Sequence, residues 1–379
     1  MFRVVAIKEI QAKSVLRKRK KIDSWFVSCY GMNLYRGCTH NCVYCDGRAE
    51  GYYVEGKFGT DVEVKVNALE ILARELDPKR KRLPFKSSYV MVGGGVGDSY
   101  QPAEKTYELT RKTLELLYEK KFPVHVLTKS TLVERDIDLL KTINEQNRAI
   151  VSFSFSSTNN DISAIFEPGV PSPTERLQTI QRLRKEGIAC GMFLLPVIPF
   201  VTDVPSVLQE TIKDAHDVGI DFIIFGGMTL KEGRQQHDFL NTLQQHYPEL
   251  LVDYTHIYKG DAWGNAIDSY YQSINKTFYT VVRQYHIPVR IPPRLYVDFL
   301  DENDRVVVML EHLDYLLKLR GQSSPYSYAA YAISQLATPV SERVGRLQEL
   351  KGVGKETERI IKEILETGTS SYYEQLLNA

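Results

Sequence analysis

The stretch Asn33-Leu-Tyr-Arg-Gly-Cys-Thr-His-Asn-Cys-Val-Tyr-Cys-Asp46 places three of the chain's five cysteines, Cys38, Cys42 and Cys45, in one C-x3-C-x2-C loop. No other feature constrains the fold as much, because the rest of the chain must carry this loop to a place where three thiolates can work together. Three thiolates can hold one corner of a metal centre. A cubane iron–sulfur cluster has four irons, so three cysteines would leave one iron open to a small molecule. A structural zinc site fills all four positions with Cys or His. His40 lies inside the loop, but Cys29 and Cys190 lack paired-cysteine spacing, and a closed zinc site is poorly supported. Three incidental thiols are the remaining alternative, which the tight spacing disfavours.

The segments that follow alternate in character. Apolar runs at Ser88–Val92, Val124–Thr128, Ala149–Phe155, Ala189–Leu195 and Asp221–Phe225 read as strands. Between and after them, 103–120, 133–143, 174–186, 204–218 and 231–246 have helical periodicity. With a first strand near Val27–Leu34, this makes about six βα units, which need a parallel sheet with helices outside. The expected fold class is α/β, a partial (β/α)6, TIM-like barrel with its site at the C-terminal strand ends. A doubly wound open sheet is the alternative. Residues 1–28 read as a lead-in, 29–250 as the barrel, 251–335 as a mixed extension with an amphipathic helix over 305–320, and 336–379 as a small helical module.

Composition narrows the partners. A net charge of +1 on 379 residues provides no global field for a polyanion, so basic surface must be local. Two runs qualify, Arg17-Lys-Arg-Lys-Lys21 and Asp77-Pro-Lys-Arg-Lys-Arg82, although such runs are more often solvated faces. No apolar run reaches membrane-spanning length, and the N-terminus lacks the marks of a signal peptide. Clustered, odd-numbered cysteines fit a reducing cytosol without disulfides. The expected location is therefore cytoplasmic.

Chemistry-bearing residues gather at the strand ends. Gly93, Gly94 and Gly95 end the second strand, where glycines let a ligand approach the backbone. Lys129 ends the third, where a lysine can meet a carboxylate as a point charge. Ser152, Ser154 and Ser156 alternate with Phe153 and Phe155 on the fourth, which puts the serines on the inner face. Glu167 and Arg176 follow, as a ligand-binding pair or a structural ion pair. Val197 and Ile198 end the fifth.

The C-x3-C-x2-C loop with Tyr44 before its third cysteine resembles the radical S-adenosylmethionine (SAM) superfamily. The phrase Asn33-Leu-Tyr-Arg-Gly-Cys38 is similar to its spore photoproduct lyase branch, and the resemblance runs from about Ile10 to Asp203. It implies a [4Fe–4S] cluster on Cys38, Cys42 and Cys45, with SAM on the open iron, and an external electron donor. Reductive cleavage of SAM would yield a 5′-deoxyadenosyl radical that takes hydrogen from substrate. The resemblance also implies cofactor contacts at Tyr44, Gly93, Gly94, Gly95, Lys129, Ser154, Glu167, Arg176 and Val197, with Lys129 on the SAM carboxylate. The lyase's further cysteine, a hydrogen donor near the second strand end, is missing from Val92-Gly-Gly-Gly-Val-Gly-Asp98. That departure puts photoproduct repair itself in doubt, and the catalytic hydrogen donor is unassigned.

Near the C-terminus, Leu347 to Leu365 reads as helix, glycine turn, helix, and resembles the helix–hairpin–helix motif. Gly352-Val-Gly354 at a helix start offers backbone amides to a phosphate, flanked by Lys351 and Lys355. A structural hairpin is the alternative. Together these readings point to a radical SAM enzyme acting on nucleic acid, with DNA favoured. Action on RNA or protein, or a cluster-bearing sensor without turnover, are the alternatives.

Overall fold

The short apolar segments pair into one seven-stranded sheet. The computed structural model describes residues 6–50, 52, 56–80 and 84–377. Lys81 and Arg82 of the second basic run lie outside them. The strands are β1 (Ala6–Ile10), β2 (Leu16–Asp23), β3 (Ser28–Met32), β4 (Tyr35–Arg36), β5 (Asp61–Lys65), β6 (Tyr89–Gly93), β7 (Val124–Thr128), β8 (Ala149–Phe155), β9 (Ala189–Val197) and β10 (Phe222–Gly227). The large sheet has the order β10-β9-β8-β7-β6-β3-β2. Neighbours from β3 to β10 run parallel, and β2 adds an antiparallel edge. Parallel neighbours require crossovers, which the amphipathic helices supply. The sheet curls into a half-barrel, the partial barrel expected from the sequence.

Alternation along the strands builds the interior. Phe153 and Phe155 are fully buried, and Phe155 lies 4.3 Å beneath the Arg176 guanidinium. On the other face, Ser152 Oγ meets His125 Nε2 at 2.8 Å. Burial pushes the His125 imidazole down to about 4, so the ring is neutral and packs as an aromatic. Phe26 stacks on Phe193 with centroids 5.2 Å apart, and His125 packs edge-on to Phe26. These rings floor the space above the sheet.

Several elements depart from the pattern read in the sequence. The N-terminal segment carries β1 and β2, and the basic run Arg17–Lys21 lies on the exposed edge strand β2. A small sheet of order β1-β5-β4 stands beside the cysteine loop. The helix expected over 103–120 is two helices, Glu104–Tyr107 and Leu109–Glu119, broken at Glu108 with φ 51°. The break lets the Glu104 carboxylate accept from Thr110 N at 3.0 Å and Arg111 N at 3.3 Å, satisfying amides that begin the second helix.

The helix expected to be amphipathic over 305–320 spans Glu302–Leu319 and is buried nearly all round. Its run Val306-Val-Val-Met-Leu310 is the sequence mark of that environment. It packs against β2 on one side and against the helices Tyr326–Ser334, Lys355–Thr367 and Ser371–Leu377 on others. His312 Nδ1 meets Tyr373 Oη at 2.8 Å, and its Nε2 meets Ser24 O at 2.8 Å. One buried imidazole thus ties the last helix to the turn after β2. Among the described residues, no helix is long and apolar enough to cross a membrane.

Candidate functional site

The cysteine loop leaves β4 and folds over the C-terminal ends of the parallel strands. Arg48 and His40 are among the side chains that hold it there. Arg48 donates from Nε to Cys42 O at 2.9 Å and from Nη2 to Asn41 Oδ1 at 2.6 Å, and pairs with Asp238. His40 lies with Nδ1 3.0 Å from Gly169 O and Nε2 3.1 Å from Asp98 Oδ2. Both ring nitrogens face carbonyl or carboxylate oxygens, so the ring bridges the loop to Gly169 and Asp98.

Asp98 is the joint between this loop and the strand ends. Its carboxylate also accepts from Thr128 Oγ1 at 2.7 Å, Lys129 N at 2.7 Å and Tyr100 N at 2.8 Å. Burial acts to raise its pKa, but the His40 ring and these donors hold it below the usual carboxylate range.

Cys38, Cys42 and Cys45 line one cavity of about 420 Å³ with Tyr44, Gly94, Gly95, Asp98, Lys129 and Ser154. That is the size of a small-molecule site. Gly93 lies one step below the rim, at φ 88°, and a side chain there would come within 2.6 Å of Leu127 O. Ser154 borders the cavity and donates from Oγ to Leu195 O at 2.9 Å. Val197 is fully buried, away from the cavity lining.

Glu167 and Arg176 stand behind the wall rather than on it. Glu167 Oε2 accepts from Arg176 Nη2 at 2.7 Å, with both side chains inaccessible. Glu167 Oε1 accepts from Lys129 Nζ at 2.9 Å and from the Tyr44 hydroxyl. Lys129 Nζ also reaches Tyr44 Oη at 3.0 Å. Burial acts to raise the Glu167 pKa, but the Arg176 and Lys129 charges hold it well below the usual carboxylate range. The pair therefore positions the ammonium at the cavity edge.

The donor set decides which metal centre fits. Burial pushes all three thiols up, Cys42 to about 12. They await a cationic partner to become thiolates. Among the described residues, no three His, Cys, Asp or Glu side chains converge on one ion. A single zinc therefore lacks a cage, whereas a cluster that gives each cysteine its own iron suits three thiols spread over one wall. Cys29 and Cys190 are buried outside this cavity lining, with Cys29 Sγ 3.9 Å from Asp304 Oδ2 and Cys190 Sγ 3.6 Å from Ile188 O.

The opposite wall was not foreseen. Asp46 Oδ1 accepts from Thr229 Oγ1 at 2.7 Å and Gln235 Nε2 at 3.1 Å, and pairs with Lys231 Nζ at 2.9 Å. These groups tie the segment after β10 to the end of the cysteine loop. Strand ends in a βα repeat were the available signal; the pairing partners are far apart in sequence.

A second feature lies in the C-terminal helices. Gly352 takes φ 83°, and a Cβ there would come within 2.7 Å of Ala329 N, so the turn sits flush on the helix Tyr326–Ser334. Val353 is buried, whereas Lys351, Gly354 and Lys355 are exposed. Gly354 precedes the helix Lys355–Thr367 without a side-chain cap, so no capping side chain takes its first-turn amides. Lys351 Nζ lies 5.5 Å from the Tyr328 ring centroid.

Comparison with known proteins agrees with this geometry. Residues 32–205 match the model of the radical SAM superfamily, and residues 301–370 match a helix-hairpin-helix domain. An uncharacterized protein of Mycobacterium tuberculosis is 30% identical over 259 residues, covering 67% of this chain and 74% of the relative. An uncharacterized protein of Methanocaldococcus jannaschii is 30% identical over 273 residues, covering 72% of this chain and 94% of the relative. The fold is similar to that of spore photoproduct lyase complexed with dinucleoside spore photoproduct, with a TM-score of 0.54, 19% identity and coverage of 74% of this chain and 79% of that one. A mutant of that lyase with bound AdoMet and dinucleoside spore photoproduct gives a TM-score of 0.50 at 18% identity, covering 71% and 78%. With its three-cysteine cavity at the mouth of a half-barrel, the chain belongs to the radical SAM superfamily, whose cofactors are a [4Fe–4S] cluster and SAM.

Proposed function

We propose that this radical SAM protein acts on nucleic acid, with DNA as the favoured substrate. The observation that carries the radical chemistry is the single cavity in which Cys38, Cys42 and Cys45 meet Gly94, Gly95, Lys129 and Ser154. The substrate reading rests on the exposed hairpin Lys351–Lys355 on the same chain, and on the fold it shares with spore photoproduct lyase, a protein seen complexed with dinucleoside spore photoproduct.

In this reading Cys38, Cys42 and Cys45 hold the cluster. When bound, the cluster and SAM supply an electron and a carbon-centred radical that takes a hydrogen atom. The chain's own residues bind, orient and exclude water. Lys129 presents an ammonium to the SAM carboxylate, and Glu167 and Tyr44 fix its direction. The open strand end at Gly94 and Gly95 brings backbone groups close to the ligand. Phe26 and Phe193 close the floor against water. The Lys351–Lys355 turn grips the sugar–phosphate backbone without reading sequence. A target base leaves its stack to reach the cavity.

The test is anaerobic reconstitution with SAM and a reductant, measuring 5′-deoxyadenosine with plain DNA, ultraviolet-irradiated DNA and RNA. Product stimulated by irradiated DNA alone supports a photolesion enzyme. Stimulation by RNA but not DNA overturns the DNA preference, and product indifferent to all three overturns nucleic acid as substrate.

A further inference from the structure

Beside the cofactor cavity lies a second, shallower hollow of about 650 Å³. Tyr52 and Thr229 border both spaces, so the two are adjacent. Its outer wall is Trp263, which is 72% exposed, and Tyr52 is 41% exposed. An indole this far into water beside a site is a hydrophobic surface with no ring partner among the described residues.

The loop that carries it is built to hold it there. Tyr258 and Ala266 close its base as a β-bridge. The Asp261 carboxylate accepts from Trp263 N at 2.9 Å and from Asn265 N at 3.0 Å. Gly264 O accepts from Leu230 N at 2.7 Å, which seats the loop on the segment after β10. That segment also carries Thr229 and Lys231, the partners of Asp46 beside Cys45. The loop backbone at Trp263 is thus fixed relative to the cysteine loop, so the base of the indole needs no reordering when it meets a flat ligand.

Charge selects the ligand's chemistry. Glu232 and Asp261 line the hollow together with Glu50, which lies 3.5 Å from Arg234 Nε, and the lysine in the lining, Lys231, is paired to Asp46. A phosphate would meet carboxylates there. A neutral, planar ring with N–H groups would meet an aromatic wall and acceptors.

We infer that the Tyr52–Trp263 hollow is a nucleobase site, where an unstacked base of the substrate strand lies against Trp263 at the mouth of the cofactor cavity. The inference rests on the nucleic-acid reading above and adds where and how the strand is held. Stacking on an aromatic ring tolerates any base, because every base has a π-face. Phosphate contacts belong to the hairpin and base contacts to this hollow.

The test uses the reconstituted full chain and a short, end-labelled single-stranded deoxyoligonucleotide, with its RNA counterpart as a second arm. Affinity is measured by fluorescence anisotropy across a salt series. Trp263→Ala is expected to weaken binding about tenfold at every salt concentration. The slope of log affinity against log salt is expected to stay at the wild-type value, because no phosphate contact is lost. Trp263→Phe keeps a ring and is expected to recover most of the loss. Wild-type affinity in Trp263→Ala would overturn the base site while leaving the nucleic-acid reading intact, as would a loss that Phe does not recover. A wild-type chain that binds neither oligonucleotide would overturn the nucleic-acid reading itself.

Discussion

Lys129 Nζ lies 2.9 Å from Glu167 Oε1, and the same carboxylate takes Arg176 Nη2 at 2.7 Å through its other oxygen. One buried anion therefore balances two cations, one at the cavity edge and one sealed behind it. Glu167→Gln leaves the Arg176 guanidinium buried without its counter-charge. The expected loss is about 3–5 kcal/mol of stability, measured by urea unfolding. The pH dependence has a definite sign. The folded carboxyl is held well below its unfolded value, so its stabilisation is complete above that unfolded value, about 4.3, erodes progressively below it, and is lost as pH falls through the lower folded value. Wild-type unfolding curves should show this acid loss, and those of Glu167→Gln should show it reduced.

Asp98 predicts a different failure. Removing its carboxylate strips an acceptor from His40 Nε2, Thr128 Oγ1, Lys129 N and Tyr100 N. Each buried donor left unpaired costs about 1–3 kcal/mol. Asp98→Ala should therefore loosen the cysteine loop from the strand ends and lower iron and sulfide per chain after reconstitution. Iron content equal to wild type would show that Arg48, Gln101 and the Asp46 contacts hold the loop without Asp98.

The five cysteines should divide sharply. Cys42→Ala is expected to abolish cluster assembly and SAM cleavage. Cys29→Ala and Cys190→Ala, outside the cavity lining, should keep wild-type iron content and the cluster's paramagnetic resonance spectrum. Their cost should be packing alone.

For the hairpin, the double variant Lys351→Ala/Lys355→Ala should weaken duplex binding and lower the magnitude of its salt slope by about two, since each lost phosphate contact contributes about 0.9. Iron content should not change. Deleting the whole C-terminal segment is a poorer test, because Tyr373, Leu376 and Leu377 are buried against the rest of the chain. An unaltered slope would make the hairpin structural.

What could be read in the sequence was local and periodic. The cysteine spacing placed Cys38, Cys42 and Cys45, and runs such as Val124–Thr128 and Ala149–Phe155 marked β7 and β8 at the correct bounds, because buried parallel strands are short and apolar throughout. Strand β5, Asp-Val-Glu-Val-Lys, escaped notice because Glu63 and Lys65 are buried charged residues in a strand beside the site. Glu167 and Arg176 were found as a pair, but their place behind the wall depends on how β8 and its following helices pack. The Asp46, Thr229 and Lys231 contacts join positions more than 180 residues apart, and periodicity contains no information about such pairings. The helix Glu302–Leu319 was given a solvent face because its other side is covered by helices later in the chain.

That helix has a mechanical consequence. Wedged between β2 and the hairpin helices, it joins the proposed grip to the half-barrel through packed structure. A strand held at Lys351–Lys355 would be offered to the half-barrel at one fixed offset, much as a jig holds stock against a blade. The position modified would then be counted from the point of grip, so marks on a long substrate would fall at a constant distance from the protein's footprint edge.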